Sequence, residues 1–461
     1  MSISRARLVL PSLGLIALSV LLSGIPTDFL HAQSVPPAPS LVGTSLATAA
    51  RSDSSAEDIT LAELYARLAR HSPRIAAARS LADAARARIP GARRPPDPQL
   101  QFGLMNYRLP ALAPMDPIGM RQLQLMQMLP IAGKLSLSGR VADAQAVAAG
   151  ARAQDVRWEQ RARVAMAFFD LYQADRAVGV ARETRQLLAD IATTAQTMYA
   201  VGDGRQADVL RARVEIARMN EEIVRMETMR SAMTSRLRGL LDEPPDTTPM
   251  VPAPPQPPPD IPSLASLVAE AEANRPMVRA GEADLRAATS AERLARREIW
   301  TDLQLGVQYG QRGGPMGTER MGSLMIGASL PVFARDRQLQ MRVEASAMRA
   351  MARSDLVAMR AETRARVAEL YADIMRARAL QALYRTTVLP QAQAAVTSSL
   401  ASYRVGTVNL MTLLDNQMTV NRYRQELFVL ESEQGKALAE LEMLIGRELI
   451  DVHSRTPRDQ E

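Results

Sequence analysis

Cysteine is absent from all 461 residues, which excludes disulfides, thiolate metal sites and a lipid-modified cysteine. Aromatic residues make up only 4% of the chain, and histidine occurs three times, at His31, His71 and His453. No H-E-x-x-H pair, phosphate-cradling loop or nucleophile elbow is present. The glycine-rich stretch "YGQRGGPMG" lies between two alternating segments rather than between a strand and a helix, so it reads as a surface loop. These absences leave no catalytic residue and no cofactor to assign, and the protein is expected not to be an enzyme. Long apolar runs are also missing beyond the N-terminus, and a mean hydropathy of −0.11 excludes a polytopic inner-membrane protein. The net charge of +7 comes mostly from arginine. Basic and acidic residues alternate along helical stretches, which describes solvated helix faces and not a nucleic-acid surface.

What is present is a helix-forming vocabulary, rich in alanine, arginine, leucine and methionine. At the start, Arg5 and Arg7 precede "LVLPSLGLIALSVLLSG", and the polar "HAQSVPPAPS" follows. That layout is expected of a secretory signal peptide over residues 1–32, with Ala32 a candidate cleavage point and an uncleaved membrane anchor the alternative. Residues 33–54 are expected to be a disordered N-terminal segment. Ten prolines between Pro244 and Pro262 form a connector, residues 243–262, in which neither helix nor sheet is expected. A polar tail closes the chain over residues 448–461.

The connector separates two halves, residues 55–242 and 263–447, that read in the same order. Each begins with a short amphipathic helix, "LAELYARLARHSP" or "LASLVAEAEANRP", followed by an Ala/Arg-rich helix. Two alternating segments come next, the second ending in Leu129-Pro130 or Leu330-Pro331. A very long helix, a Tyr-x-Val-Gly turn and another long helix complete each half. Val201-Gly202 and Val405-Gly406 stand 204 residues apart, and the following helices keep that register. Val209, Ile216, Ile223 and Leu237 fall on Leu413, Val420, Leu427 and Leu441, spaced by seven or its multiples. A second seam runs through Ala212, Met219, Met226, Met233 and Leu240. Sustained heptads predict coiled-coil packing along duplicated helical hairpins.

The alternating segments read as strands with one apolar face. In "WTDLQLGVQYG", Leu303, Leu305, Val307 and Tyr309 share that face; in "MGSLMIGASLP", Leu324 and Ile326 do. The first half supplies Leu100, Phe102 and Leu104, then Leu123 and Leu125. Strands of this length, apolar on one side and small or polar on the other, fit a membrane barrel wall around a wet lumen. Each half provides two such strands. Half-buried soluble hairpins are the alternative; if the strands span a membrane, four cannot close a cylinder and an open edge in lipid leaves backbone groups unpaired, so several chains must share one barrel. Three copies would supply twelve strands.

This order of elements, duplicated across a proline linker, resembles the TolC family of outer-membrane efflux proteins. The family's tip signature stands here as Tyr199, Val201, Gly202, Asp208, Val209 and Leu210, and again as Tyr403, Val405, Gly406, Leu413, Leu414 and Asp415. The resemblance implies a fold that is mainly α with a small β portion: a homotrimer whose four transmembrane strands per chain build a 12-stranded β-barrel above an α-helical barrel. It implies the outer membrane of a Gram-negative-type cell, a periplasmic helical part and, without cysteine, no lipid anchor. It implies a passive exit duct of a tripartite efflux pump, with a periplasmic adaptor and an inner-membrane resistance-nodulation-division (RND) transporter as partners. The tip turns would meet the adaptor through Val201, Gly202, Asp208, Leu210, Val405, Gly406, Leu413 and Leu414. A duct for drugs or for type I protein secretion is the alternative within transport, and a periplasmic coiled-coil adaptor the alternative outside it.

The phrase from Pro130 to Lys134 looks most like the heavy-metal branch of that family, which implies metal cargo such as Cu(I) or Ag(I). Thioethers are soft donors suited to those ions. Met105, Met115, Met120, Met126 and Met128 crowd the first strand pair, and Met316, Met321 and Met325 the second. Methionine also packs coiled-coil seams as a flexible core residue, so the sequence alone assigns no firm metal site. The acidic ring that some members carry before the second turn has no counterpart from Pro390 to Gly406, where Arg404 is the charged residue.

Overall fold

The structure, a computed structural model, describes residues 57–115, 118–244, 250–253, 260–314 and 317–450. The expected signal peptide, the N-terminal segment, residues 451–461, Met316 and most of the connector lie outside the described residues. The chain is mostly helical with a small strand portion.

The first half opens with strand β1 (Glu57–Ile59) and helix α1 (Leu61–His71). Thr60 caps α1, its hydroxyl accepting from Glu63 N at 3.3 Å. Ser72 then ends α1 and starts α2 (Pro73–Ala92), accepting from Ile75 N, with Pro73 at the position where a missing N–H costs nothing. Strands β2 (Gln99–Met105), β3 (Tyr107–Arg108), β4 (Ala113–Pro114) and β5 (Met120–Leu129) follow. The pair β3–β4 is a short hairpin inside what the sequence suggested was only loop; β2 ends where Asn106 takes a positive φ of 56°. Helix α3 (Lys134–Ala200) runs 67 residues, about 100 Å at 1.5 Å per residue, and α4 (Gln206–Leu241) returns beside it.

The connector is not wholly extended chain. Met250–Pro252 forms strand β6, paired in parallel with β1, and Ile59 and Met250 are buried together in the core. The expectation of no sheet there fails because Met250 and Val251, between Pro249 and Pro252, keep their N–H groups and find a partner strand in β1. Pro252 is tolerated because β6 is an edge strand of a two-stranded sheet.

The second half repeats the plan with closely matched lengths. Helix α5 (Leu264–Asn274) has the 11 residues of α1, and α6 (Pro276–Arg297) has 22 against the 20 of α2. Strands β7 (Leu303–Gly314) and β8 (Gly317–Ala328) come next. Helix α7 (Gln338–Leu383), a π-turn over Tyr384–Val388 and helix α8 (Leu389–Arg404) follow end to end over 46, 5 and 16 residues, the span of α3. Pro390 removes an N–H donor just after the π-turn. Helix α9 (Leu410–Ile445) has 36 residues, the same as α4.

Two apolar clusters hold the helices. One joins α1, α3, α5, α7 and α9 around Phe168, Leu171, Ile374 and Leu441. The other lies toward the turns and unites Leu188, Val209, Ala212, Met219, Leu410 and Leu413. Heptad residues from both seams thus sit in or against the packing. Among the described residues, no helix is long and apolar enough to cross a membrane.

Candidate functional site

The four longer strands form one sheet in the order β2-β5-β7-β8, with antiparallel neighbours throughout. Cross-strand partners share a face, so the register fixes the sidedness of every residue. Leu100 pairs with Leu125, Leu125 with Val307, and Val307 with Leu324, a lateral apolar row across all four strands. Phe102, Leu123 and Tyr309 form the next row; Leu305 and Ile326 a third; Leu104 and Leu303 extend the same face. These apolar side chains face solvent in a single chain: Phe102 is 68% exposed, Leu324 74% and Ile326 72%. All eleven wall residues expected from the sequence therefore lie on one uncovered face.

The opposite face is made of Gln101, Gln124, Gln308 and Ser323 in one row, with Gln99, Gly103, Gln122, Gly306 and Gly310 in neighbouring rows. The side-chain amide of Gln308 donates to Gln122 Oε1 at 2.5 Å, and Arg312 pairs with Glu319 at 2.7 Å. Of the methionines proposed as soft ligands, Met105, Met120, Met126 and Met128 all fall on this polar face. Met115 does not; it follows β4 outside the sheet, its backbone N–H donating to Asn106 O. Met321 and Met325 also lie on the polar face.

Where the sheet hands over to the helices, Lys134 is buried. Its ammonium donates to the Trp300 carbonyl and to Asp302 Oδ1, both at 2.9 Å, with Glu298 at 3.4 Å. The last residue of the Pro130–Lys134 phrase is thus a bolt between the first strand pair and the segment that leads into β7. The sequence marked the phrase but gave no sign of its partners, which lie more than 160 residues away.

The two turns at the other end share a backbone plan. Gly202 and Gly406 take φ of 87° and 75°, a left-handed conformation that a Cβ disfavours. Each is followed by a reversing bond: Asp203 N to Met198 O at 2.9 Å, and Thr407 N to Ser402 O at 3.0 Å. Their capping differs. Asn409 caps α9, its side chain accepting from Thr412 N at 2.9 Å, a role that sequence reasoning missed. Arg205 precedes α4 without a side-chain cap, and Asp208 stands in the first turn, where a carboxylate complements the helix dipole.

The eight residues expected at the tip surface divide. Val201, Leu210 and Val405 are 68%, 54% and 73% exposed, and Gly202 and Gly406 are exposed with them. Asp208 is half-buried. Leu413 and Leu414 are corrected: both are buried in the cluster beneath the turns, with residues of α3 and α4. They support the turn and do not present a surface. Tyr403 is also buried there, and burial, followed by the negative charge of Asp208, raises its phenol above the ordinary tyrosine value. Tyr403 shares its cluster with Val209 and Ala212 of α4, so the two hairpins pack together near their tips.

Comparison with known proteins agrees with this architecture. The family model described as outer membrane efflux protein matches residues 64–242 and 267–447. The cobalt-zinc-cadmium resistance protein CzcC of Cupriavidus metallidurans is 24% identical over 331 residues, covering 69% of this chain and 75% of that protein. Among solved structures, CusC, described in terms of folding and transmembrane channel formation, superposes with a TM-score of 0.72 at 16% identity, over 85% of this chain and 93% of that one. The outer membrane protein VceC of Vibrio cholerae gives 0.70 at 16% identity, over 84% and 96%.

Proposed function

The chain belongs to the outer membrane efflux protein family, and from that premise we propose that three copies form an exit duct across the outer membrane and periplasm. It is an efflux channel and not an enzyme. The observation that carries the trimer is the sheet. Strands β2 and β8 are its two edges, and the Leu100–Leu324 face is apolar and uncovered. Four strands satisfy neither the backbone at those edges nor the lipid, whereas three copies joined edge to edge give a closed wall of twelve. The long helices then continue the wall as a tube, and the apolar residues that α4 leaves exposed meet the neighbouring copy.

In this reading Val201, Gly202, Leu210, Val405 and Gly406 form the knob that an adaptor's helical hairpin grips, and an inner-membrane transporter supplies the energy. The likeness to CzcC supports metal ions as cargo over drugs or polypeptides. The adaptor alternative is less well supported, because a soluble hairpin has no use for so large an uncovered apolar sheet face.

The test is biochemical. The detergent-purified protein should run as a heat-modifiable trimer and fractionate with the outer membrane. A water-soluble monomer would end the duct reading. Replacing Val201, Leu210 and Val405 together by serine should abolish adaptor co-purification while leaving the trimer intact; unchanged capture would remove the tip from the adaptor contact.

A further inference from the structure

Methionine is distributed unevenly between the two faces of the sheet. Six methionines lie in β2, β5 and β8, namely Met105, Met120, Met126, Met128, Met321 and Met325, and the register puts every one on the polar face. The apolar face is built from leucine, valine, isoleucine, phenylalanine and tyrosine and holds none. If methionine served only as apolar filler, the uncovered apolar face is where it would be expected.

Two glycines on β7 organise these thioethers. Gly306 lies in the row Gln99–Met126–Gly306–Met325, between methionines from both neighbouring strands. A Cβ at Gly306 would stand 3.3 Å from Met325 Cε and 3.6 Å from Met126 Cγ, so both side chains lean over the glycine. Gly310 is flanked differently: its row is Gly103–Gln122–Gly310–Met321, and the methionine that leans over it, Met120, comes from the adjacent row Met105–Met120–Arg312. Met321 is its cross-strand partner, Met120 Sδ would lie 3.0 Å from its Cβ, and Met105 pairs with Met120. The two saddles are four residues apart, about 14 Å along the strand at about 3.4 Å per residue.

We propose that each saddle is a thioether site for a soft monovalent cation, Cu(I) or Ag(I): Met126 with Met325 over Gly306, and Met105, Met120 and Met321 around Gly310. The inference rests on the barrel reading, which makes the polar face the lumen. Thioethers are the soft donors available there, since cysteine is absent and, among the described residues, no group of three His, Asp or Glu gathers to hold a metal ion. Arg312 stands in the row of Met105 and Met120, but its ion pair with Glu319 offsets the positive charge that would repel a cation. Two or three neutral thioethers bind weakly, which suits ions that must enter and leave in succession.

The experiment titrates silver nitrate, in chloride-free buffer, into the purified detergent-solubilised protein, with calorimetry and silver X-ray absorption as readouts. Two sites per chain with sulfur in the first shell are expected; a shell of nitrogen and oxygen alone overturns the proposal. Met126→Leu with Met325→Leu should remove one site, and Met105→Leu, Met120→Leu and Met321→Leu together the other. Met348→Leu with Met351→Leu, thioethers on helix α7 outside the sheet, should remove neither. Gly306→Val keeps every thioether but fills the saddle, and should weaken the first site by about tenfold or more. Equal silver uptake by wild type and the sheet variants, or equal loss in the helical control, sinks the inference. Heat-modifiable migration of the same samples separates the two readings. An intact trimer with no sheet-dependent silver binding fails this inference alone, whereas a soluble monomer fails the duct as well.

Discussion

Helices α4 and α9 are copies of one another in length and heptad register, yet they live in different surroundings. Each has 36 residues, but 17 of α9 are buried in the chain against 8 of α4. The cause is packing. Helix α9 is in contact with α3, α5, α7 and α8, whereas α4 rests on α3 and α1 and leaves Leu210, Val214, Val224 and Met229 exposed. Equivalent residues therefore carry different loads: Leu414 is 2% exposed and its counterpart Leu210 54%. A repeat in sequence is thus not a repeat in environment. Below the tip, the exposed Val214, Val224 and Met229 of α4 form the surface that a second copy covers in the trimer proposed above.

Paired substitutions at equivalent positions sharpen or break this contrast. The largest effect is expected at Leu414, where truncation to alanine should cost about 2–5 kcal/mol of stability in denaturant unfolding. Leu210→Ala should cost under about 0.5 kcal/mol and weaken adaptor capture instead. Equal losses at the two sites would remove the distinction. Next comes Gly435, where a Cβ would meet the Phe169 ring at 2.2 Å because α3 and α9 approach closely there. Gly435→Ala should cost about 1–3 kcal/mol, against near neutrality for the exposed Ser231→Ala at the same register position of α4.

Smaller effects belong to the helix starts and to a buried charge. Asn409→Ala should lose about 1 kcal/mol in thermal unfolding because the α9 cap goes, while Arg205→Ala at the uncapped start of α4 should lose almost nothing. At the far ends, α9 buries Glu442 where α4 buries Arg238. The Glu442 carboxylate accepts from Leu449 N and Ile450 N at 2.6 and 2.7 Å, but its burial outweighs these bonds and raises its pKa above the usual carboxylate value. The folded state therefore holds this proton more tightly than the unfolded chain. Its contribution grows as pH falls through the raised value, is complete below the ordinary carboxylate range, and is lost as pH rises. Glu442→Gln should flatten that part of the stability–pH profile; an unaltered profile would dissociate Glu442 from it.

The strand faces were legible because a period of two leaves little freedom: once Leu303, Leu305 and Val307 alternate with polar residues, their common side follows. The tip turns were legible because a helix that ends on glycine after valine leaves a local signature twice. Other features depended on partners that no local pattern announces. Lys134 reaches Asp302, Tyr403 sinks beneath the turns while its counterpart Tyr199 stays 47% exposed, and Met250 of the proline-rich connector pairs with Glu57 and joins Ile59 in the core. The tip expectation erred at Leu413 and Leu414 because the motif marks where a turn is, not which side of the following helix is covered.

By itself the sequence determined the duplication, the long helices, the two-sided strands and the turns, all features whose cause lies within a few residues along the chain. Only the tertiary structure decided which copy of each element is enclosed, that the two strand pairs join through β5 and β7 into one sheet, and that Met126 and Met325 come to flank Gly306 from different halves of the chain. Those outcomes depend on register and packing between segments far apart in the chain, where each residue's surroundings are set by its neighbours in space and not by its own pattern.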